Sequence, residues 1–138
     1  MRRRRVLATL GAAFATGGAG CTAVGSLGGV DGDVGMTAVA FEPATVTVAV
    51  GDEVVWYNNS ARAHSITAYE DGIPANAAYF ASGGYDSEAA AREAWDGMHG
   101  AIENGQRYAH TFEMSGTYNY FCIPHERGGM VGQVIVES

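Results

Sequence analysis

The chain has 138 residues, 47% of them hydrophobic, which fits one compact domain around a single core. Its formal net charge is −7, and all eight basic residues are arginines, four of them at positions 2–5. Beyond those four, 4 Arg face 15 Asp plus Glu for a net of −11, a balance that excludes a surface built for nucleic acid phosphates.

The four arginines open a basic stretch that leads into an apolar run over residues 6–16, rich in Ala, Leu and Val. That run is shorter than the roughly 20 residues needed to span a bilayer, so residues 1–20 read as an export signal. Paired arginines ahead of Val6-Leu7 resemble a twin-arginine signal, the alternative being an ordinary secretory signal with extra arginines. Gly18-Ala19-Gly20-Cys21 resembles a lipobox, with Gly18 where leucine is usual. The resemblance implies that Cys21 becomes a lipid-modified first residue and that the protein sits at the outer face of the cell membrane. A disulfide between Cys21 and Cys122 is the competing reading. Residues 21–35 are Gly-rich and nearly free of large side chains, and read as a flexible tether.

A domain is expected over residues 36–138. Residues 37–41 are strand-like, and 45–50 alternate with period two, placing Val46, Val48 and Val50 on one face. Gly51-Asp52 marks a turn before a strand over 53–58. An insertion spans about 72–105. It holds an aromatic, Gly-rich stretch at 79–85, expected to cover a sheet edge, and a short helix over 88–95 capped by Asp86 or Ser87. Strands follow at 106–113, 117–122 and 131–137. Seven or so short strands with Gly-marked turns predict an all-β, antiparallel Greek-key sandwich.

The last loop concentrates the chemistry. Cys122, His125 and Met130 place a thiol, an imidazole and a thioether within nine residues, and Gly128-Gly129 let the chain turn back towards Cys122. A thioether favours copper, and a copper electron-transfer site takes two His, one Cys and a weak axial Met. His64, in Ala63-His64-Ser65-Ile66, supplies the second imidazole. Zinc is the main competitor for Cys with His, but zinc sites rarely close with Met.

The spacing Cys122-x2-His125-x4-Met130 with His64 far upstream resembles the plastocyanin-like blue copper proteins, and among them the halocyanins most. The run Phe41-x-Pro43-x2-Val46-Thr47-Val48-x2-Gly51-Asp52-x-Val54-x-Trp56-x-Asn58 carries the same resemblance, which covers residues 36–138 apart from the insertion. It implies a cupredoxin-like sandwich holding one copper ion, cycling between Cu(I) and Cu(II), on His64, Cys122, His125 and Met130. The implied function is a one-electron carrier, monomeric and not an enzyme, serving redox proteins of a respiratory or similar membrane chain. Two positions depart from the family. Plastocyanins carry Asn after the first His ligand, where this chain has Ser65, which leaves the bonding between the two ligand loops open. Their Tyr before the ligand Cys is Phe121 here, which does not support a tyrosine entry route for electrons.

Two other functions compete. A copper enzyme such as a nitrite reductase domain needs a second metal, and the remaining His99 and His110 form no ligand-spaced cluster. A copper-delivery protein calls for exposed, exchangeable Met or Cys clusters and remains the alternative. The acidic, lysine-free composition also resembles proteins of salt-loving organisms, in which dense salt screens self-repulsion, or else a merely acidic exported protein.

Overall fold

The computed structural model describes residues 32–138; the export signal, the lipobox with Cys21 and the tether as far as residue 31 lie outside them. In chain order the strands are β1 (Val34–Met36), β2 (Phe41–Glu42), β3 (Thr45–Ala49), β4 (Glu53–Asn58), β5 (Thr67–Ala68), β6 (Arg107–Thr111), β7 (Gly116–Phe121) and β8 (Val131–Glu137). One four-stranded sheet runs β2-β1-β4-β6 and the other β3-β8-β7-β5. Both are mixed, which corrects the antiparallel expectation: β1 runs parallel to β4, and β3 parallel to β8. Parallel neighbours need a crossover connection. Here β2 and β3 provide it between the first pair, and most of the domain provides it between the second.

Inward-facing residues follow from the alternation. In β4 Val54, Trp56 and Asn58 point inward, and in β8 Gly132, Val134 and Val136 do. Trp56 and Tyr120, from opposite sheets, are both fully buried, and the indole N–H donates to the Tyr120 hydroxyl at 3.0 Å. This gives the sandwich a large apolar contact with its one polar edge satisfied. Phe41, Phe80, Phe112 and Tyr118 pack around this pair.

The front of the domain differs from expectation. Packing starts ahead of residue 36: Val34 and Met36 are fully buried, and Asp33 exchanges hydrogen bonds with Val55 through its amide (2.7 Å) and its carboxylate (2.8 Å). The tether reading therefore fails for residues 33–35. Of the strand expected over 37–41 only Phe41 is in one, opening β2; residues 37–40 form a reversal, with Thr37 Oγ1 accepting from the Ala40 amide at 3.0 Å. Val50 lies beyond the end of β3 and is 42% exposed, while Val46 and Val48 pack on the core.

A short 3-10 helix (Glu70–Gly72) leads into the insertion, which contains α1 (Glu88–Ala94) and a further 3-10 turn (Trp95–Gly97). Ser87 caps α1, its hydroxyl accepting from the Ala90 amide at 3.1 Å. The aromatic stretch lies along the edge of the second sheet, where Ala68 N–H donates to Phe80 O (3.1 Å) and Ser82 N–H to Ile66 O (2.7 Å). Phe80 enters the core. Near its far end the insertion is pinned by paired bonds between His64 and Ile102 (3.1 and 2.7 Å).

Candidate metal centre

Cys122 follows β7, and its amide donates to Met130 O at 3.0 Å, closing the loop at its base. Between them residues Ile123–Gly128 form a 3-10 helix with Pro124 in its first turn, where a missing N–H costs nothing. The helix ends at Gly129 in the left-handed region (φ 93°), with Gly129 N–H on Glu126 O (2.9 Å) and Met130 N–H on His125 O (3.2 Å). The turn back towards Cys122 expected of the two glycines is thus made at Gly129.

The loop carries Cys122 Sγ to 3.4 Å from His125 Nδ1, and the bridge with Ile102 carries His64 Nδ1 to 3.4 Å from the same sulfur. The three donor atoms lie within 4.8 Å of one another. His64, Cys122 and Met130 are all at 0% exposure, whereas His125 is partly exposed. Met130 belongs to the same buried cluster as Cys122, at the base of the loop. A metal ion with thiolate at about 2.3 Å and imidazole at about 2.0 Å sets those donors about 3.6 Å apart, close to the observed spacing. The residues therefore fit a small, thiophilic cation such as copper. His99 and His110 lie outside the group; His110 stacks on Phe80 instead, with ring centroids 4.7 Å apart.

Two polar networks hold the donors in place. The Ser65 amide donates to Cys122 Sγ (3.4 Å), and its hydroxyl accepts from the Ile123 amide (2.9 Å) while bonding Thr67 Oγ1 (3.0 Å). Ser65 therefore makes the loop-to-loop connection that the missing Asn had left open. On the other side His64 Nε2 lies 3.1 Å from Ser60 Oγ, whose own proton goes to Asn58 Oδ1 at 2.8 Å. That order assigns the proton of His64 to Nε2 and leaves the Nδ1 lone pair facing the sulfur. Asn58 is fully buried and fully used, its amide donating to Arg62 O and Ile102 O, both at 2.7 Å. Ser60 was not recognisable from sequence, and Asn58 showed only as the last letter of a strand motif.

Electrostatics agree with a cation site. Burial pushes the His64 imidazole down from 6.5 to about 4, with the neighbouring His125 ring adding to the effect. Burial likewise lowers His125 and raises the Cys122 thiol to about 11, against the hydrogen bonds from the Ser65 and His125 amides. At neutral pH the group without a cation is a thiol and two neutral imidazoles, and binding a cation displaces the thiol proton.

A family described as copper binding proteins, plastocyanin/azurin family, matches residues 29–137. The chain is 39% identical over 100 residues to a chloroplastic plastocyanin of Tetradesmus obliquus, covering 72% of this chain and 60% of that protein's length. With a plastocyanin of Rumex obtusifolius the identity is 37% over 111 residues, 80% of this chain and 96% of the other. Among solved structures, amicyanin from Paracoccus versutus superposes with a TM-score of 0.54 at 31% identity, over 75% of this chain and 78% of that one. With a buried Cys between two imidazoles, and a family match running through nearly the whole described domain, this chain belongs to the plastocyanin/azurin family of copper binding proteins.

Proposed function

We propose that the protein is a one-electron carrier whose single copper ion is held by His64, Cys122, His125 and Met130. The observation that carries this reading is the wholly buried Cys122 sulfur with an imidazole nitrogen 3.4 Å away on each of two separate loops. Copper supplies the chemistry when bound, alternating between Cu(II) and Cu(I) as one electron arrives and leaves. The chain supplies rigidity: Ser65, Ser60, Asn58 and the closed loop hold the donors, so little rearrangement accompanies each transfer. His125 is the partly exposed donor, and on this reading electrons pass between copper and partner across its ring. The protein is a carrier and not an enzyme.

The finer reading is a halocyanin-like protein: exported, held at the outer face of the membrane by lipid on Cys21, monomeric, and shuttling electrons between membrane-associated redox proteins in a salt-rich setting. The arginine-led signal, the Gly18-Ala19-Gly20-Cys21 lipobox and the lysine-free acidic composition support it. A copper-delivery role is less well served, because three of the four donors are sealed from solvent and exchange demands access. Redox titration of the copper-loaded protein decides. An intense visible band with a reversible one-electron couple is expected; colourless or irreversible behaviour overturns the carrier. Cell fractionation of Cys21→Ala tests the anchor, and retention of that variant in the membrane would refute it.

A further inference from the structure

The insertion reaches the metal loop through one guanidinium. Arg92 of α1 grips Glu126 with two bonds, Nη1 to Oε1 at 2.9 Å and Nη2 to Oε2 at 3.2 Å. Its Nε donates to Glu88 at 2.9 Å, and Tyr69 donates to the same Glu126 at 2.6 Å. The guanidinium carbon sits 4.3 Å from the Phe121 ring centre, and the Tyr69 ring stacks on Phe121 at 4.3 Å. Glu126 is the residue after His125, and Phe121 the residue before Cys122. One side chain of the insertion therefore bears on both arms of the ligand loop. The helix behind it is anchored in turn, since Glu70 and Glu88 exchange amide-to-carboxylate bonds at 3.0 and 3.1 Å. A solvated surface arginine needs none of this. A planar fork on a carboxylate, with an aromatic ring under its face, fixes position as well as charge.

We propose that Arg92 is a positioning residue for the metal site: through Glu126 and Phe121 it keeps residues 123–128 in one shape, so that His125 stays beside Cys122 in either charge state of the centre. The insertion is then a working part of the electron-transfer site and not only a cover for a sheet edge. This rests on reading the site as a copper electron carrier, and the test separates the two ideas.

The variants are Arg92→Met, Arg92→Lys, which keeps the charge but loses the fork, and Ser87→Ala, which weakens α1 without touching the clamp. In the copper-free protein, hydrogen exchange at the Gly129 and Met130 amides reads the loop directly. Both Arg92 variants should speed that exchange by about tenfold, the loss expected for a hydrogen bond to a charged group. In the copper-loaded protein they should slow electron self-exchange severalfold while the visible band persists. Ser87→Ala should lower the melting temperature and leave both readouts alone. If the Arg92 variants change neither readout, or if Ser87→Ala changes them as much, Arg92 merely holds the helix and the proposal is overturned. A wild-type protein with no colour would remove the carrier reading, yet the amide exchange would still decide the clamp.

Discussion

Ser65 shows how much can hang on one hydroxyl, since it accepts from Ile123 on the ligand loop while its own amide points at the Cys122 sulfur. Ser65→Ala leaves the Ile123 amide without that acceptor and should cost about 1 kcal/mol, measurable by denaturant unfolding. Cys122→Ser should fold but lose the visible band, because a hydroxyl stays protonated at neutral pH and donates weakly to copper; a retained band would sink the blue-copper assignment. Met130→Leu should keep the band and raise the potential, since loss of a weak donor destabilises Cu(II) more than Cu(I). An unchanged voltammogram would remove Met130 from the donor set. The copper-free protein should also be acid-sensitive. Unfolded, His64 takes a proton near its usual 6.5; folded, it resists until about 4. Between those values the unfolded chain binds more protons, so stability present above pH 6.5 is lost as pH falls towards 4, by up to roughly 3 kcal/mol. Urea melts across that window check it, and a flat profile would contradict the buried neutral imidazole. The grouping of His64, Cys122 and His125 could be read from the chain because thiol and imidazole are scarce and their chemistry is narrow. Ser60 could not, because a loop serine is recognisable as a support only once the nitrogen it faces is known.

Strand patterns were legible where alternation was long enough to be heard above the background. The expected bounds of β4 and β8 match the structure, since both are six or more residues of alternating burial. The three residues of β1 sit at the end of a Gly-rich stretch, and so short a run offers no period to count. Strand direction was illegible for a different reason: alternation says which face is buried and is silent about the neighbour, so the two parallel pairs could not be foreseen. The helix showed itself through Ser87 and its run of alanines, but nothing in the sequence linked Arg92 to Glu126, 34 positions away. Gly132 illustrates a constraint that only packing reveals. A Cβ there would collide with the ring carbon and hydroxyl of Tyr120, the same hydroxyl that receives the Trp56 proton. Gly132→Ala should therefore cost more than about 2 kcal/mol, with the indole partner displaced as well. Trp56 fluorescence during thermal unfolding would record both, and a melting temperature equal to wild type would show that Tyr120 has room to move.

For the molecule as a whole, charge sets the conditions of stability. Arg92 holds Glu88 and Glu126, but the four arginines beyond position 5 cannot neutralise 15 Asp plus Glu. Screening over about 3 Å in molar salt relieves the repulsion that reaches across about 10 Å at 0.1 M. The melting temperature should climb through a salt series, and independence from salt would refute the salt-loving reading. The pairing of β3 with β8 has a consequence for how the protein comes into being. Thr45 lies opposite Gln133, 88 positions later, and the same last strand is the partner of β7, which leads into Cys122. During synthesis, the second sheet has no centre until residues 131–137 emerge. A nascent chain halted at Met130 would already contain His64, Cys122 and His125 and have nowhere to assemble them, so metal capture should wait until residues 131–137 have joined the sheet.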